Sequence, residues 1–468
     1  MAEVDVIVVG GGGAGMSAAI TASDSGASVL LVEADRTLGG STALSGGVYY
    51  AAGTRVQQQL GITGDTADAM FEYYLTLNQY RVDPALVRVL CDQAAEGLHW
   101  LMAMGVDFPA AGLYASGVES VPRGHGAAGN GAAIAAALDR EVSRRPIDVA
   151  LGTRVDGLLT DAGGRITGIR AGADSIAART VVLTTGGFGA SPALRQRLYP
   201  QSTVHGDAAW YIGKPQCVGD GITLGERAGA DIVGHDRGLL LTTPNFRKVL
   251  EVFVPGWLVY VNREGQRFVR ETAEYAVMAG VVQAQTGGTC FAIFDEASRR
   301  DARPLPRYAD AFASGALPLN WVADELAHQA GAGKVVSAAS LDALAGRIGL
   351  RPGALEVTVA EYNADVASGS DKRFFKAADD LRPIAEPPFH AVEILPAIVC
   401  LTSAGIRIDA DARALDTRGL PIAGLYAAGE TCGNVLGERY IGGGNSIANA
   451  IVFGRVAGST AARECHRV

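Results

Sequence analysis

An α/β fold, one parallel-sheet domain interrupted by an inserted α+β segment, is what this sequence predicts. Three observations carry the prediction. The chain opens with VDVIVVGGGGAGMSAAITASDSGASVLLVE (4–33), an apolar run, a glycine cluster, a stretch of small residues and a second apolar run. That is the strand, turn, helix, strand order of a parallel unit. Glycine accounts for 61 of 468 residues, about twice its usual share, and it gathers in motifs rather than in repeats. From about 205 to 385 the composition shifts toward Pro, Trp and Tyr, after which small-residue strand patterns return.

Residues 4–9 form an unbroken apolar run, suited to a strand covered on both faces. Gly10, Gly12 and Gly15 give G-x-G-x-x-G, and Ser17–Ser25 continues as a helix of small residues. SVLLVE (28–33) is the second strand and ends on Glu33. Each part has a use: a tight turn, close approach of a pyrophosphate to a helix N-terminus, helix–strand packing, and a carboxylate for ribose hydroxyls. A lone glycine motif says little, but strand, helix, second strand and acid in this order specify a Rossmann-type dinucleotide site.

Helical periodicity follows over roughly 66–80 and 84–104. RVDGLLTDAGGRITGIRAG (154–172) alternates on both sides of Asp161–Gly164 and reads as a hairpin. TVVLTTGGFG (180–189) is another buried strand running into Gly186 and Gly187. Further helical stretches fall near 219–229, 272–285 and 338–348. GIRIDADARALD (405–416) and GLYAAGE (424–430) restore the strand character, and a second helix N-terminus follows at about Ser446. This order predicts a dinucleotide domain over 1–204, a substrate-capping segment over 205–385, and a return to the first domain over 386–468.

Composition narrows the function. A chain with 48% hydrophobic residues can bury a large core, and its 19% charged residues are scattered. A net charge of -9 with no basic stripe argues against nucleic-acid binding. No apolar stretch reaches membrane length, and the N-terminus enters a glycine motif without a basic leader. The expectation is a cytoplasmic protein beginning at Met1, without a membrane span. Cysteines at 91, 217, 290, 400, 432 and 465 form no C-x-x-C and no metal spacing, so buried thiols and no metal are expected.

Both NAD and FAD use the first motif. A second strand–acid–helix site near the C-terminus, GLYAAGE with the helix at about 446–458, favours the longer flavin dinucleotide, since that helix N-terminus suits the flavin's N1/O2 edge. Taken together, VIVVGGGGAG (6–15), LGGSTALSGG (38–47), VVLTTGGFG (181–189), GDGITLGERAGA (219–230), VNREGQRFVRE (261–271), GLYAAGE (424–430) and GGGNSIANAIVFGRVAG (442–458) resemble the flavoprotein family of fumarate reductases and 3-ketosteroid dehydrogenases. The resemblance covers nearly the whole chain. It implies a Rossmann-type FAD-binding domain (three-layer ββα) interrupted by an α+β capping domain, with flavin N5 facing the bond that gains or loses hydride. Cofactor-binding positions implied by it are Gly10, Gly12, Gly13, Ala14, Gly15, Glu33, Ala34, Gly40, Ser41, Thr42, Ser45, Gly46, Gly47, Gly186, Gly187, Asp220, Gly429, Glu430, Asn445, Ser446 and Ile447.

The same resemblance speaks to substrate. Dicarboxylate reductases of the family carry a proton-donating arginine after their RF-x-x-E segment, a His-Thr pair, and an arginine before the last glycines. Here those positions hold Tyr275, Leu401-Thr402 and Ile441. Arg439 or Arg247 leaves a single carboxylate contact open, but fumarate chemistry is not expected. Ketosteroid dehydrogenases place tyrosines where Tyr275 and Tyr440 stand, and in their Δ1 group a glycine amide matching Gly444 helps to hold the ketone oxygen. The Δ4-(5α) group resembles this chain in SALSGG and the following aromatics but tends to carry serine where Gly442 stands, so the bond desaturated stays open.

Taking a proton from beside a ketone creates an enolate, and each donor aimed at the developing oxyanion lowers the barrier by about 3 kcal/mol. Tyr440 and Gly444 are the candidate donors. Tyr275 is the candidate base, with Arg267, Arg270 or Tyr440 to favour its phenolate; a free tyrosine has a pKa of ~10. Packing against Val277, Met278 and Val281 is the bland alternative for Tyr275, and loop chemistry the bland one for Arg123 and His125. Tyr114 is a further aromatic placed to approach the pocket from the region of Arg123 and His125. The expected activity is desaturation of a cyclic ketone, a 3-ketosteroid first and a smaller cyclohexanone second, with a quinone or electron-transfer protein as external electron acceptor. Reduction of an activated alkene and a non-catalytic electron-transfer subunit are the alternatives.

Overall fold

The computed structural model describes residues 4–251 and 253–466. They form two compact units: the first comprises the chain up to Thr203, Gly213–Leu239 and the chain from Cys400, the second Val204–Ile212 and Leu240–Val399. Gly213–Leu239 lies inside the segment that composition assigned to the cap, yet it belongs to the first unit. Its helix Asp220–Arg227 buries Gly221, Ile222, Leu224 and Gly225, a pattern too short to dominate the compositional shift around it.

The sheet of the first unit runs in the order Arg413–Leu415, Pro421–Ala427, Asp174–Leu183, Val4–Val9, Val29–Val32, Ile147–Ala150. All neighbours are parallel except the edge strand Arg413–Leu415. Val6, Ile7 and Val8 are fully buried, the uniform burial expected of a strand paired on both sides and covered on both faces. Asp174–Leu183 is long enough to serve twice. Its last residues join the parallel sheet, and its first residues pair antiparallel with Ile166–Ala171, which pairs in turn with Gly157–Thr160 across the expected turn.

The helix Gly13–Asp24 begins four residues before the expected start at Ser17. Glycine's poor propensity hid that first turn; packing overrides it, since all of Gly13–Ile20 is buried. Its main partner is the C-terminal helix Asn445–Cys465. A Cβ at Gly454 would stand 2.4 Å from the Ala14 carbonyl oxygen and one at Gly458 2.2 Å from that of Ala18. The small residues of the two helices therefore permit near contact of their backbones. The expected helices appear at Ala67–Leu77 and Pro84–Ala103.

The second unit is built on a sheet in which Cys290–Asp295 pairs antiparallel with Val259–Val261 on one side and with the long strand Phe389–Thr402 on the other. Helices Tyr275–Gln283, Leu341–Arg347 and Ala354–Ser368 belong to this unit. One apolar cluster centres on Trp257, Phe294 and Trp321, a second on Leu344, Leu355 and Tyr362. Between them sits a fully buried charge network: Arg267 is paired with Glu271 (2.8 Å) and Asp371 (2.7 Å), and Lys376 with Glu271 (2.8 Å).

The cysteines fulfil their expected role: Cys91, Cys217, Cys290, Cys432 and Cys465 are buried and Cys400 half-buried, none joined in a disulfide among the described residues. No helix among the described residues is long and apolar enough to cross a membrane.

Candidate active site

At the carboxyl ends of the parallel strands of the first unit stand Gly10, Glu33, Gly186 and Gly429, one after each of four strands. This is the edge where open α/β sheets hold their ligands. The glycines differ in what they do there. Gly10 (φ 106°) would place a Cβ 2.5 Å from the Thr184 carbonyl oxygen, and Gly15 one 1.7 Å from that of Gly10, so both are required by packing. A Cβ on Gly12 would meet only Gly40 Cα, at 4.0 Å. The space above Gly12 is thus kept clear although packing does not demand it, as a cradle for a pyrophosphate requires. The Glu33 carboxylate accepts the N–H groups of Gly11 (2.5 Å) and Asp35 (2.7 Å), which fix it beside the glycine turn.

The turn Gly40–Leu44 lies against this loop. The Gly39 N–H donates to the Gly11 carbonyl (2.9 Å), and Thr42 Oγ1 is 2.6 Å from where a Gly13 Cβ would be. Ser41, Thr42, Ser45, Gly46 and Gly47 lead from there toward Val48, whose carbonyl stands 2.7 Å from the position of a Gly444 Cβ. Ala14 meets Gly429, with 2.8 Å left to a Cβ there. Gly187 packs on Thr402 and Glu430; the buried Glu430 carboxylate accepts the N–H and Oγ1–H of Thr402 at 2.8 and 2.9 Å, while burial raises its pKa. Asp220 is paired with Arg154, and Gly221 N–H bonds Thr185 Oγ1 (2.9 Å) next to Gly186. Ala34 is half-buried beyond Glu33. The first unit therefore brings all these positions onto one edge of its sheet.

Tyr440, Gly444, Asn445, Ser446 and Ile447 meet at the N-terminus of the last helix. Gly444 (φ 99°) has the left-handed backbone that glycine favours and provides no side-chain cap. Tyr440 supplies one instead: its Oη accepts the Ser446 N–H at 3.2 Å and lies 3.1 Å from Ser446 Oγ, with a further bond from the Gly444 amide. Burial pushes its pKa up to about 12, outweighing those bonds. Near neutral pH Tyr440 is therefore a phenol, a hydrogen-bond donor rather than a base. Asn445 Nδ2 donates to Tyr74 Oη (2.9 Å), while the buried Oδ1 atoms of Asn445 and Asn449 have no partner among the described residues. Orphaned acceptors in the first turns of this helix fit a polar ligand that carries its own donors.

Sequence reasoning missed the groups that hold the glycine loop. Tyr73 Oη lies 2.9 Å from the Ile441 carbonyl oxygen and 3.3 Å from Glu119 Oε2. Ser116 exchanges two bonds with Gly443, each 2.9 Å, and its N–H donates to Glu119 Oε1 (2.8 Å). Burial raises the Glu119 pKa, and no ion pair engages it among the described residues. These partners are hundreds of positions apart in sequence and leave no local spacing to find. Gly442 has a steric reason: a Cβ there would be 2.7 Å from the Tyr50 ring and 3.0 Å from Ser116 Oγ, so the serine of the Δ4-(5α) pattern has no room.

The charged candidates are committed elsewhere. Arg123 forms a buried bidentate pair with Asp65 (2.6 Å), and His125 bonds Thr54 Oγ1 (2.8 Å) and the Arg123 carbonyl (2.8 Å), with burial lowering its pKa to about 4. Both are loop-fixing residues. Arg247 pairs with Glu325 (3.3 Å) and bonds the Leu319 carbonyl (2.7 Å). Arg267, expected as an activator of Tyr275, is locked between Glu271 and Asp371. Arg439 is 3.8 Å from Glu438 with its side chain 43% exposed. Ile441 and Leu401 are buried.

In the second unit, Tyr275 opens the helix Tyr275–Gln283 and is 42% exposed. Core packing, the bland reading of this residue, does not describe it; Met278, Ala279 and Val282 are the buried positions of that helix. Tyr114 is 46% exposed on the short strand Leu113–Tyr114 of the first unit.

Comparison with known proteins accords with this geometry. A family model described as "FAD binding domain" matches residues 5–447. The fumarate reductase (cytochrome) of Shewanella frigidimarina is 35% identical over 98% of this chain and 77% of its own length. The urocanate reductase of Eggerthella lenta is 30% identical, over 98% of this chain and 75% of its length. Among solved structures, the 3-ketosteroid-Δ4-(5α)-dehydrogenase of Rhodococcus jostii RHA1 superposes with a TM-score of 0.78 at 27% identity, covering 98% of this chain and 97% of that one.

Proposed function

The chain belongs to the FAD binding domain family and is an FAD-dependent oxidoreductase acting on carbon–carbon bonds, and from that premise we propose that it desaturates a cyclic ketone next to its carbonyl, a 3-ketosteroid first of all. Tyr440 carries the reading. A buried phenol held protonated, beside the Gly444 amide and the neutral Ile441, suits a ketone oxygen on its way to an enolate. A carboxylate would call for a cation; Arg123, Arg247 and Arg267 are each bound to acids of their own, and Arg439, 3.8 Å from Glu438 with its side chain 43% exposed, is the one candidate cation less tightly held.

In this reading Gly10, Gly12, Gly13, Ala14 and Gly15 hold the pyrophosphate and Glu33 the ribose. The first turn of the helix Asn445–Cys465 would hold the flavin ring. Bound FAD supplies the hydride acceptor. Tyr440 donates to the ketone oxygen, and because the Ser446 and Gly444 N–H groups donate to Tyr440 Oη, the tyrosine's own hydrogen is polarised toward that oxygen. The Gly444 N–H becomes a second donor to the ketone oxygen on release from Tyr440. Tyr275, 42% exposed at the start of its helix, takes the proton as its phenolate. A quinone or an electron-transfer protein reoxidises the flavin.

Relatives named as fumarate and urocanate reductases favour a second reading, reduction of an activated alkene. Anaerobic mixing of the yellow holoprotein with 5α- and Δ4-3-ketosteroids and cyclohexanones separates the two. Loss of the flavin band and a product lighter by two hydrogens supports desaturation. Colour restored to the pre-reduced protein by an enone, with no bleaching by its saturated partner, supports the reductive reading and overturns the first.

A further inference from the structure

The segment Gly213–Gly219, which the reaction does not use, runs across the carboxyl edge of the parallel sheet. On one side Lys214 Nζ pairs with Asp35 (3.2 Å), two residues beyond Glu33, and the Lys214 N–H donates to Ser41 Oγ (3.2 Å) in the turn that packs on the glycine loop. On the other side the Cys217 carbonyl accepts the Ala190 N–H (3.0 Å), and Cys217 Sγ lies 3.1 Å from where a Gly186 Cβ would be. Cys217 Sγ also reaches Ser41 Oγ at 3.6 Å. The two anchor regions follow the strands Val29–Val32 and Asp174–Leu183, and the strand between them in the sheet is Val4–Val9. Since all three are parallel, the segment spans the end of the central strand, where Gly10–Gly15 begins and where the clear space above Gly12 lies.

We propose that Gly213–Gly219 is a strap retaining the adenosine–pyrophosphate half of FAD, and that the Lys214–Asp35 ion pair is its clasp. The glycine turn and Glu33 receive the dinucleotide, and the strap closes the route by which it leaves. Lys214 and Asp35 are each 26% exposed at the side chain, so the clasp is accessible to salt while the rest of the strap is tied down by backbone and hydroxyl bonds. Release of the cofactor then requires opening at this pair. The inference rests on FAD binding alone and stands apart from the identity of the substrate.

The test uses the full-length holoprotein and the rate at which FAD leaves, followed as flavin fluorescence recovered on dilution. K214A and D35N each raise the dissociation rate about fivefold, the scale of one partly exposed ion pair. The double variant is no faster than either single one, and the charge exchange K214D/D35K returns the rate to within about twofold of the wild type. Added KCl accelerates release from the wild type and leaves K214A unaffected. A wild-type release rate in K214A overturns the proposal, as do fully additive effects of K214A and D35N. If the exchange variant does not fold, the salt dependence of K214A against wild type decides alone.

Discussion

Tyr440 shows how one side chain sets both a structural and a chemical role. Its oxygen completes the N-terminus of the last helix, and its burial keeps the proton on. Tyr440→Phe removes a donor from the ketone oxygen and is expected to slow flavin bleaching by about 10²–10³-fold with ketone binding largely retained. Tyr275→Phe is expected to slow bleaching without that oxyanion signature; an unchanged rate in either variant removes the corresponding role. His125 provides a test by pH. Its pKa falls from 6.5 to about 4 because it is buried, so over that window the unfolded chain binds a proton that the folded chain does not. Stability is thus lost as pH drops from 6.5 to about 4. Urea midpoints measured across the window should flatten in His125→Gln. At this scale the sequence was readable where a residue sits in a motif, as the glycines of 10–15 and Tyr440 do. Glu119, Ser116 and Tyr73 were not readable, since their partners Ile441 and Gly443 come from the far end of the chain.

Strands were legible as apolar runs because most of them are covered on both faces; Val4–Val9 and Val29–Val32 appear within a residue or so of the expected bounds. The start of the first helix was not, because propensity scales penalise the glycines that its packing requires. The helix pair Gly13–Asp24 and Asn445–Cys465 permits a test in which propensity and packing oppose each other. Gly454→Ala gains about 1 kcal/mol of helix propensity, yet its Cβ would stand 2.4 Å from the Ala14 carbonyl oxygen. The expected net result is destabilisation by about 1–3 kcal/mol, read from urea unfolding of the holoprotein. A stabilised variant would show that the two helices can separate without cost. The network of Arg267, Glu271, Asp371 and Lys376 is the corresponding fixed point of the second unit, and the segment that supplies Arg267 and Glu271, VNREGQRFVRE, had been read as a family marker and as a source of positive charge for Tyr275.

The chain as a whole enters the flavin-binding unit three times, before Thr203, at Gly213–Leu239 and after Cys400. Composition places the inserted segment at about 205–385, and Gly213–Leu239 lies inside it, because a short helix and its preceding loop are too brief to register against the aromatic residues around them. That middle passage ties the loops after two strands across the glycine turn. At the scale of the molecule the account rests on one contrast. A relative of the chain is named for a dicarboxylate and a structural neighbour for a ketosteroid, and this chain sets a buried neutral tyrosine beside a buried isoleucine, with Arg123 committed to Asp65. The most direct measurement is an anaerobic titration of the oxidised holoprotein, followed at the flavin band, with a saturated 3-ketosteroid and separately with succinate. Desaturation of a neutral ketone predicts bleaching by the ketosteroid and none by succinate; bleaching by succinate with none by the ketosteroid would contradict it.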